Sequence, residues 1–208
     1  MILFDLDGTL IDSNGIWVDV DHEFLARRGK TPTPEYSDFV SHSIFPIAAE
    51  FTKEYYELEE SPEEIMAEWH ELAREAYQYH VQLKPGVREY LERCLESGEQ
   101  MALFTAGVPE LAQLAVKRLG LDRYLGAMIF AQEMGMEKST PGAFLIAIDQ
   151  LGGEPESCTV FEDSPRNCAA ALVAGFNVVG VYDSCYADVQ QEVMENSSWY
   201  ITSFEELL

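Results

Sequence analysis

The sequence predicts an α/β protein in which an all-helical domain is inserted into a doubly wound, Rossmann-like parallel sheet. From residue 86 onward, short apolar runs alternate with helix-length segments, which is typical of parallel strands covered by helices on both faces. Residues 13–85 show helical spacing and no convincing strand. Because the apolar run at residues 2–4 must join the same sheet, we predict a core domain of residues 1–12 and 86–208 and a helical domain of residues 13–85.

Three stretches of the inserted segment predict helices. A first helix that ends at Gly29 is predicted by apolar residues at helical spacing, which are Ile16, Val20, Phe24 and Leu25. One or two further helices are predicted over about residues 34–58. The run Ser61-Pro62-Glu63-Glu64 is a typical helix start, because serine is a good N-cap and proline fits the first helical position. That helix is predicted to run to about residue 80.

The remaining elements belong to the core domain. Strands are predicted at residues 100–104, 127–130, 158–161, 177–181 and 199–201. Helices are predicted at residues 87–97, 109–119, 141–151, 165–174 and 186–195, followed by a last helical turn. In an open α/β sheet, ligands bind beyond the carboxyl ends of the strands, so the residues that follow each strand are the candidates for a site.

Composition excludes several classes of function. The net charge of −24 argues against a nucleic-acid partner, since phosphate backbones are bound by lysine and arginine. No apolar run approaches the length of about 18 residues that a membrane-spanning helix needs. The chain starts directly in a predicted core strand, which leaves no room for a signal peptide and favours a cytoplasmic protein. The four cysteines lack CxxC spacing, as expected of free thiols in a reducing compartment, with disulfides or a zinc site as the alternatives.

The first strand ends in two acids. Asp5 and Asp7 are two residues apart and therefore point the same way from the strand, and Gly8 allows the sharp turn that follows. Two carboxylates at the end of a buried strand are costly unless they are compensated, and a divalent cation is the usual partner. A plain Asp-Gly turn is the alternative.

Three later strand or loop ends carry further candidates. Thr105 precedes two small residues, Ala106 and Gly107, so its hydroxyl and the following N–H groups form a phosphate-binding pocket. Lys138 is a cation ahead of a helix. The fourth predicted strand ends in Glu162 and Asp163, where carboxylates again favour a cation. Each has a plainer explanation when taken alone: a helix cap for Thr105, a surface position for Lys138, and a favourable helix dipole for Asp163.

The run Phe4-Asp5-Leu6-Asp7-Gly8-Thr9-Leu10 resembles the first signature of the haloacid dehalogenase-like superfamily. The resemblance implies that Asp5 is a nucleophile that forms an aspartyl-phosphate and that Asp7 is a general acid and base. Asp7 argues against dehalogenation, because the resemblance implies that the dehalogenases themselves lack this acid.

The later motifs follow in the family's order. Lys138 is similar in position to the lysine of a Lys-Pro-x-Pro pattern, although this chain has Lys138-Ser139-Thr140-Pro141, and Asn167 stands where the family often has glycine. The resemblance implies that the phosphoryl group is bound by Thr105, the N–H groups of Ala106 and Gly107, and Lys138. It also implies that Mg²⁺ is held by Asp5, the backbone carbonyl of Asp7, Asp163 and Glu162.

The helical insertion resembles the cap of the β-phosphoglucomutase-like subgroup, whose cap selects the leaving group. Candidates to face the substrate are Asp12, Ser13, His42 and Lys53. The mutases carry a cap arginine in a Gly-x-Ser-Arg run, whereas the comparable residues 39–44 contain no arginine. We therefore predict a Mg²⁺-dependent phosphatase that hydrolyses a small phosphomonoester, such as a phosphosugar, as a monomer or weak homodimer. The alternatives are a phosphosugar mutase and a non-catalytic binding module that keeps the fold.

Overall fold

The computed structural model describes residues 1–41 and 43–208. Six parallel strands form one sheet in the order β3-β2-β1-β4-β5-β6. The strands are β1 (Ile2–Phe4), β2 (Met101–Thr105), β3 (Ala127–Phe130), β4 (Thr159–Glu162), β5 (Asn177–Val181) and β6 (Trp199–Ile201). The predicted α/β class and parallel sheet are confirmed, and each strand lies within one residue of its predicted bounds.

The helices follow the predicted order. They are α1 (Asn14–Ala26), α2 (Pro34–Ser41), α3 (Phe45–Tyr56), α4 (Pro62–Glu75), α5 (Val87–Glu96), α6 (Pro109–Leu119), α7 (Pro141–Gln150), α8 (Pro165–Val173) and α9 (Gln190–Glu195). Helix α4 begins with a capping box, in which the side chains of Ser61 and Glu64 each accept the backbone N–H of the other residue. Among the described residues, no helix is both long and apolar enough to cross a membrane.

Two predicted helices differ from the structure. The helix predicted at residues 186–195 is a 3₁₀ turn over Ser184–Val189 followed by the short α9, with non-helical angles at Tyr186. The side chain of Asp183 accepts the N–H of Cys185 and so starts the tight turn early. The helix predicted to reach residue 80 ends as α4, and its last turn widens into a π-turn over Ala76–His80.

Strand order determines which loops become neighbours. β1 pairs with β2 on one side and with β4 on the other, so that Phe4 lies opposite Leu103 and Phe161. β4 in turn lies between β1 and β5. Because all six strands are parallel, the loops that follow β1, β2, β4 and β5 emerge side by side at one edge of the sheet.

Both faces of the sheet are buried. Leu3 belongs to an apolar cluster that includes Phe144 of α7 and Ala171 of α8. The next residue, Phe4, points to the opposite face and stacks on Phe161, with ring centroids 5.0 Å apart. Tyr90 of α5 also packs edge-on against Phe4. Helices therefore pack on both sides of β1, which fixes the position of the residues that follow it.

The chain divides into two compact units. One contains residues 1–14 and 81–208 and holds the sheet, and the other contains residues 15–80 and holds helices. The roles that the sequence predicts for these segments, a catalytic core domain and a helical cap domain, stay a prediction.

The helical unit has a buried polar centre. The Tyr36 side chain is fully buried, and its hydroxyl donates to Asp21 Oδ1 at 2.9 Å and lies 3.0 Å from Thr52 Oγ1. The Tyr36 ring packs edge-on against Tyr56, with centroids 5.0 Å apart. Burial raises the pKa of Asp21 from 3.8 to about 6, although the Tyr36 hydroxyl and the nearby His22 favour its charged form.

Asp21→Asn is expected to stabilise the protein at pH 7 by about 1–2 kcal/mol and to change its stability little near pH 4. An acid whose folded pKa is raised binds its proton more tightly in the folded state, so stability is lost as the pH rises from 3.8 toward 6. Urea unfolding of the variant and wild type at both pH values tests this. Asp19→Asn, at an exposed position of the same helix, is the control. An equal change in the free energy of unfolding of Asp21→Asn at both pH values would contradict the expectation.

Candidate active site

Three acids meet at the carboxyl edge of the sheet. Carboxylate oxygens of Asp5, Glu162 and Asp163 all lie within 4.8 Å of one another, and the three side chains are buried. They come together because β1 and β4 are adjacent, parallel and in register, with Phe4 opposite Phe161. Of the acids predicted from sequence, these three form the cluster.

Lys138 is the buried cation of this cluster. Its Nζ donates to Asp5 Oδ1 at 2.5 Å and to Glu162 Oε2 at 2.6 Å. The ammonium also lies over the rings of Phe104 and Phe144, at 5.2 and 5.9 Å from their centroids. Burying a lysine is costly unless it is paired, and this one is only 2% exposed. Lys138 therefore lies within this cluster, and the alternative that it occupies a surface position is wrong.

Both carboxylate oxygens of Glu162 are engaged by the protein. Oε2 accepts from Lys138, and Oε1 accepts the backbone N–H groups of Asp163 at 3.2 Å and Ser164 at 3.0 Å. These contacts fix the turn from β4 into α8. They also orient the ammonium of Lys138 toward Asp5. The sequence assigned Glu162 as a metal ligand, and that assignment stays a prediction.

Asp163 is held by two side chains that the sequence did not single out. Thr9 Oγ1 donates to its Oδ1 at 2.9 Å, and Asn14 Nδ2 donates to its Oδ2 at 2.8 Å. Gly8 lies in the same contact, with a φ of +80°, and a Cβ there would collide with both Asn14 and Asp163. A glycine is thus required both for its backbone angle and for the space it leaves.

Asp7 lies beside the end of β2. Ser13 Oγ donates to Asp7 Oδ1 at 2.6 Å. A Cβ on Gly107 would lie 2.7 Å from the other carboxylate oxygen of Asp7, so this glycine allows the close approach of the two loops. The N–H of Gly107 donates to Thr105 Oγ1 at 2.9 Å, which caps the turn after β2. The structure therefore brings Asp7 to the Thr105 loop, and the predicted phosphate-binding roles stay predictions.

The remaining sequence candidates differ in burial and in the unit to which they belong. Ala106 and Asp12 are exposed. Ser13 is buried and bonded to Asp7. Lys53 is half-buried on α3 of the helical unit, and His42 lies outside the described residues.

The acids carry more charge than their surroundings compensate. Burial raises the pKa of Asp5 well above its ordinary value, Lys138 opposes this, and Glu162 and Asp7 add to it. Burial also raises the pKa of Asp163, together with the neighbouring charges of Glu162 and Asp5. Burial favours neutral Lys138, but Asp5 and Glu162 outweigh it and raise its pKa.

A divalent cation fits this donor set. Among the described residues, four buried carboxylates lie at this edge, Asp5, Glu162, Asp163 and Asp183, and two lysines, Lys138 and Lys84, pair with them. When ionised, these four acids carry two more formal charges than the two lysines offset, before the half-buried Asp7 is counted. A divalent cation would offset that excess of negative charge. Carboxylate oxygens are the ligands that Mg²⁺ prefers, and it usually keeps several waters. Asp5, Glu162 and Asp163 could each offer one carboxylate oxygen to it.

Comparison with known proteins identifies the family. The family model described as haloacid dehalogenase-like hydrolase matches residues 2–181, which include all the strand-end residues described above except Asp183. The chain belongs to the haloacid dehalogenase-like hydrolases. The resemblance carried by the first motif is therefore confirmed, and with it the prediction of an enzyme that hydrolyses its substrate.

Several named proteins are similar over most of this hydrolase. A phosphorylated carbohydrates phosphatase of Thermotoga maritima is 27% identical over 184 residues, covering 88% of this chain and 85% of its own. Hexitol phosphatase A of Escherichia coli is 31% identical over 193 residues, covering 86% and 81%. The crystal structure of a hydrolase of the same family from Entamoeba histolytica is 20% identical and covers 100% of this chain and 94% of its own, with a TM-score of 0.83. That structure shares the fold.

Proposed function

We propose that this hydrolase is a Mg²⁺-dependent phosphatase that acts on a small phosphomonoester of the phosphosugar type through an aspartyl-phosphate on Asp5. The observation that carries the proposal is the pairing of Asp5 with the buried Lys138, 2.5 Å away, beside Asp163 and Asp7. Two similar proteins named for phosphatase activity on carbohydrate-type substrates support the substrate class.

Asp5 is the nucleophile in this proposal. A carboxylate oxygen of Asp5 attacks phosphorus, the bond from phosphorus to the substrate oxygen breaks, and an acyl phosphate forms. Attack requires an ionised carboxylate, and Lys138 favours that form through its contact with Oδ1. The buried position of Asp5 at the end of β1 limits the freedom of its carboxylate and so favours this attack.

Asp7 transfers the protons. In the first step it donates a proton to the leaving oxygen, and in the second it removes a proton from the water that cleaves the acyl phosphate. The Ser13 hydroxyl, 2.6 Å from Asp7 Oδ1, holds the carboxyl group in place for this exchange. One residue can do both because the first step leaves it deprotonated.

Charge that develops on the phosphoryl oxygens needs positive partners in a chain of net charge −24. Lys138 and the turn that begins at Thr105 supply them from the protein side. Bound Mg²⁺ would neutralise phosphoryl oxygen charge as Asp5 approaches. Asp5 and Asp163 would hold the ion, with the backbone carbonyl of Asp7 as a further oxygen.

The function is tested by ³¹P NMR with a panel of phosphosugars and other small phosphomonoesters, in Mg²⁺ and again in EDTA. Inorganic phosphate that appears only with Mg²⁺ is the expected result, and the relative rates rank the substrates. Migration of the phosphate on one sugar without release would identify a mutase instead. No reaction with any compound would favour a binding module.

Asp7→Asn is expected to lower kcat by about 10²–10⁴-fold, the usual contribution of a positioned acid and base. Because the substitution also slows hydrolysis of the acyl phosphate, ³²P-labelled substrate should leave more label on the acid-quenched variant than on wild type. Asp149→Asn, at an exposed position of α7, is the control. Wild-type kcat in the Asp7 variant would remove its assigned role.

A further inference from the structure

A second ion pair, partly buried, lies at the same edge of the sheet. Lys84 Nζ is 2.8 Å from Asp183 Oδ2, and the two side chains are 13% and 2% exposed. The same ammonium donates to the backbone carbonyl of Tyr182 at 2.6 Å and to the backbone carbonyl of Gly8. One side chain therefore joins the loop after β1 to the loop after β5.

The two loops that Lys84 joins follow the strands on either side of β4, the strand that precedes Asp163. β4 lies between β1 and β5, and Asp163 directly follows β4. Thr9, the residue after Gly8, donates to Asp163. The loop that Lys84 holds through Gly8 is thus bonded to Asp163 through Thr9, and it begins with Asp7.

The pair itself is fixed in place. Asp183 uses its second oxygen to accept the N–H of Cys185 at 3.0 Å. The backbone N–H of Lys84 donates to the carbonyl of Leu10 at 3.0 Å, and the N–H of Asp12 donates to the carbonyl of Gln82 at 3.0 Å. Residues 82–84 therefore run beside residues 10–12, and the Lys84 side chain is anchored at both ends.

Lys84 has no donor left for a ligand. An ammonium has three N–H donors, and Lys84 has three acceptors: two backbone carbonyls and one carboxylate. Gly8, by contrast, has a positive φ and no side chain, so a contact from another segment can constrain it only through its backbone. Lys84 makes such a contact with the carbonyl of the Gly8–Thr9 peptide.

We propose that Lys84, held by Asp183, is a positioning residue that fixes the Asp7–Gly8 loop relative to Asp163 and so sets the geometry of the metal-binding oxygens. The kinetic part of its test rests on the proposed phosphatase function. A pair that only stabilises the fold would leave metal affinity and loop mobility unchanged.

The test uses Lys84→Met/Asp183→Asn, which removes the link but keeps the net charge of the site. Mn²⁺ binding is measured by electron paramagnetic resonance, and backbone amide exchange over residues 6–11 by mass spectrometry. We expect Mn²⁺ affinity and kcat each to fall about 10-fold or more, as for other residues that orient metal ligands, with KM within about twofold of wild type. Exchange should be faster in that loop. Lys117→Met/Asp149→Asn, at two exposed positions, is the charge-matched control.

A folded double variant with wild-type Mn²⁺ affinity and wild-type exchange would overturn the proposal. If the double variant does not fold, Asp183→Asn replaces it, since that variant keeps the ammonium and both carbonyl acceptors. The single variant is expected to bind Mn²⁺ more weakly and to exchange faster in the same loop, and wild-type values there would also overturn the proposal. If wild type hydrolyses no phosphomonoester, the proposed phosphatase function fails. The Mn²⁺ binding and amide exchange measurements still decide the role proposed for Lys84.

Discussion

Asp5→Asn is expected to reduce turnover by on the order of 10⁴-fold or more, because an amide oxygen cannot replace the carboxylate as the attacking group. The two side chains have nearly the same volume, so the packing beneath β1 is retained. Lys138 keeps its second partner, Glu162, at 2.6 Å. Initial rates with the best substrate from the NMR panel give the measurement.

The same substitution separates chemistry from folding. Burial raises the pKa of Asp5, so its ionised form costs the metal-free protein stability at neutral pH. The variant is therefore expected to unfold at the same or a higher temperature than wild type in EDTA. Turnover within tenfold of wild type would contradict the nucleophile assignment, whereas loss of both activity and folded structure would leave the substitution unsuited to the question. In that event Asp5→Ser, which is smaller and uncharged, takes its place with the same expected loss of turnover.

The fold was predictable because its signals are local. Apolar runs such as Ile2–Phe4 and start signals such as the Ser61 capping box need only neighbouring residues to be recognised. The 3₁₀ turn at Ser184–Val189 was missed because it depends on one side-chain contact, from Asp183 to the N–H of Cys185. Helical spacing over residues 186–195 gave no sign of that contact.

The site was predictable in part, for a related reason. Asp5, Glu162 and Asp163 end apolar strands, and strand ends in a parallel sheet converge. Lys84 could not be found in this way, since it lies 76 residues from Gly8 and 98 from Tyr182 in sequence and belongs to no strand end. Asn14 is likewise separated by 149 residues from Asp163. Only the folded chain brings such pairs together.

Removal of the metal is expected to have the second large effect. Chelation should lower turnover at least about 10³-fold, because phosphoryl transfer relies on electrostatic stabilisation of the transferring group. It should also change the pH dependence of stability. The pKa values of Asp5 and Asp163 are raised above 3.8 in the folded protein. These groups therefore bind protons more tightly in the folded state than in the unfolded state. Stability of the metal-free protein should therefore fall as the pH rises above about 4.

Mg²⁺ should reverse that loss, because it binds the ionised acids of the folded state. At a concentration 100 times its dissociation constant it adds about 2.7 kcal/mol to the free energy of unfolding. Asp163→Asn removes one acid whose pKa is raised and one oxygen that is proposed to bind the metal. In EDTA the stability of the variant should therefore depend less on pH, and adding Mg²⁺ should stabilise the variant less than wild type. Urea unfolding of both proteins at pH 5 and pH 8, with Mg²⁺ and with EDTA, measures all these differences. An equal Mg²⁺ response in the variant and wild type would place the ion elsewhere, since Asp163 would then contribute nothing to holding it.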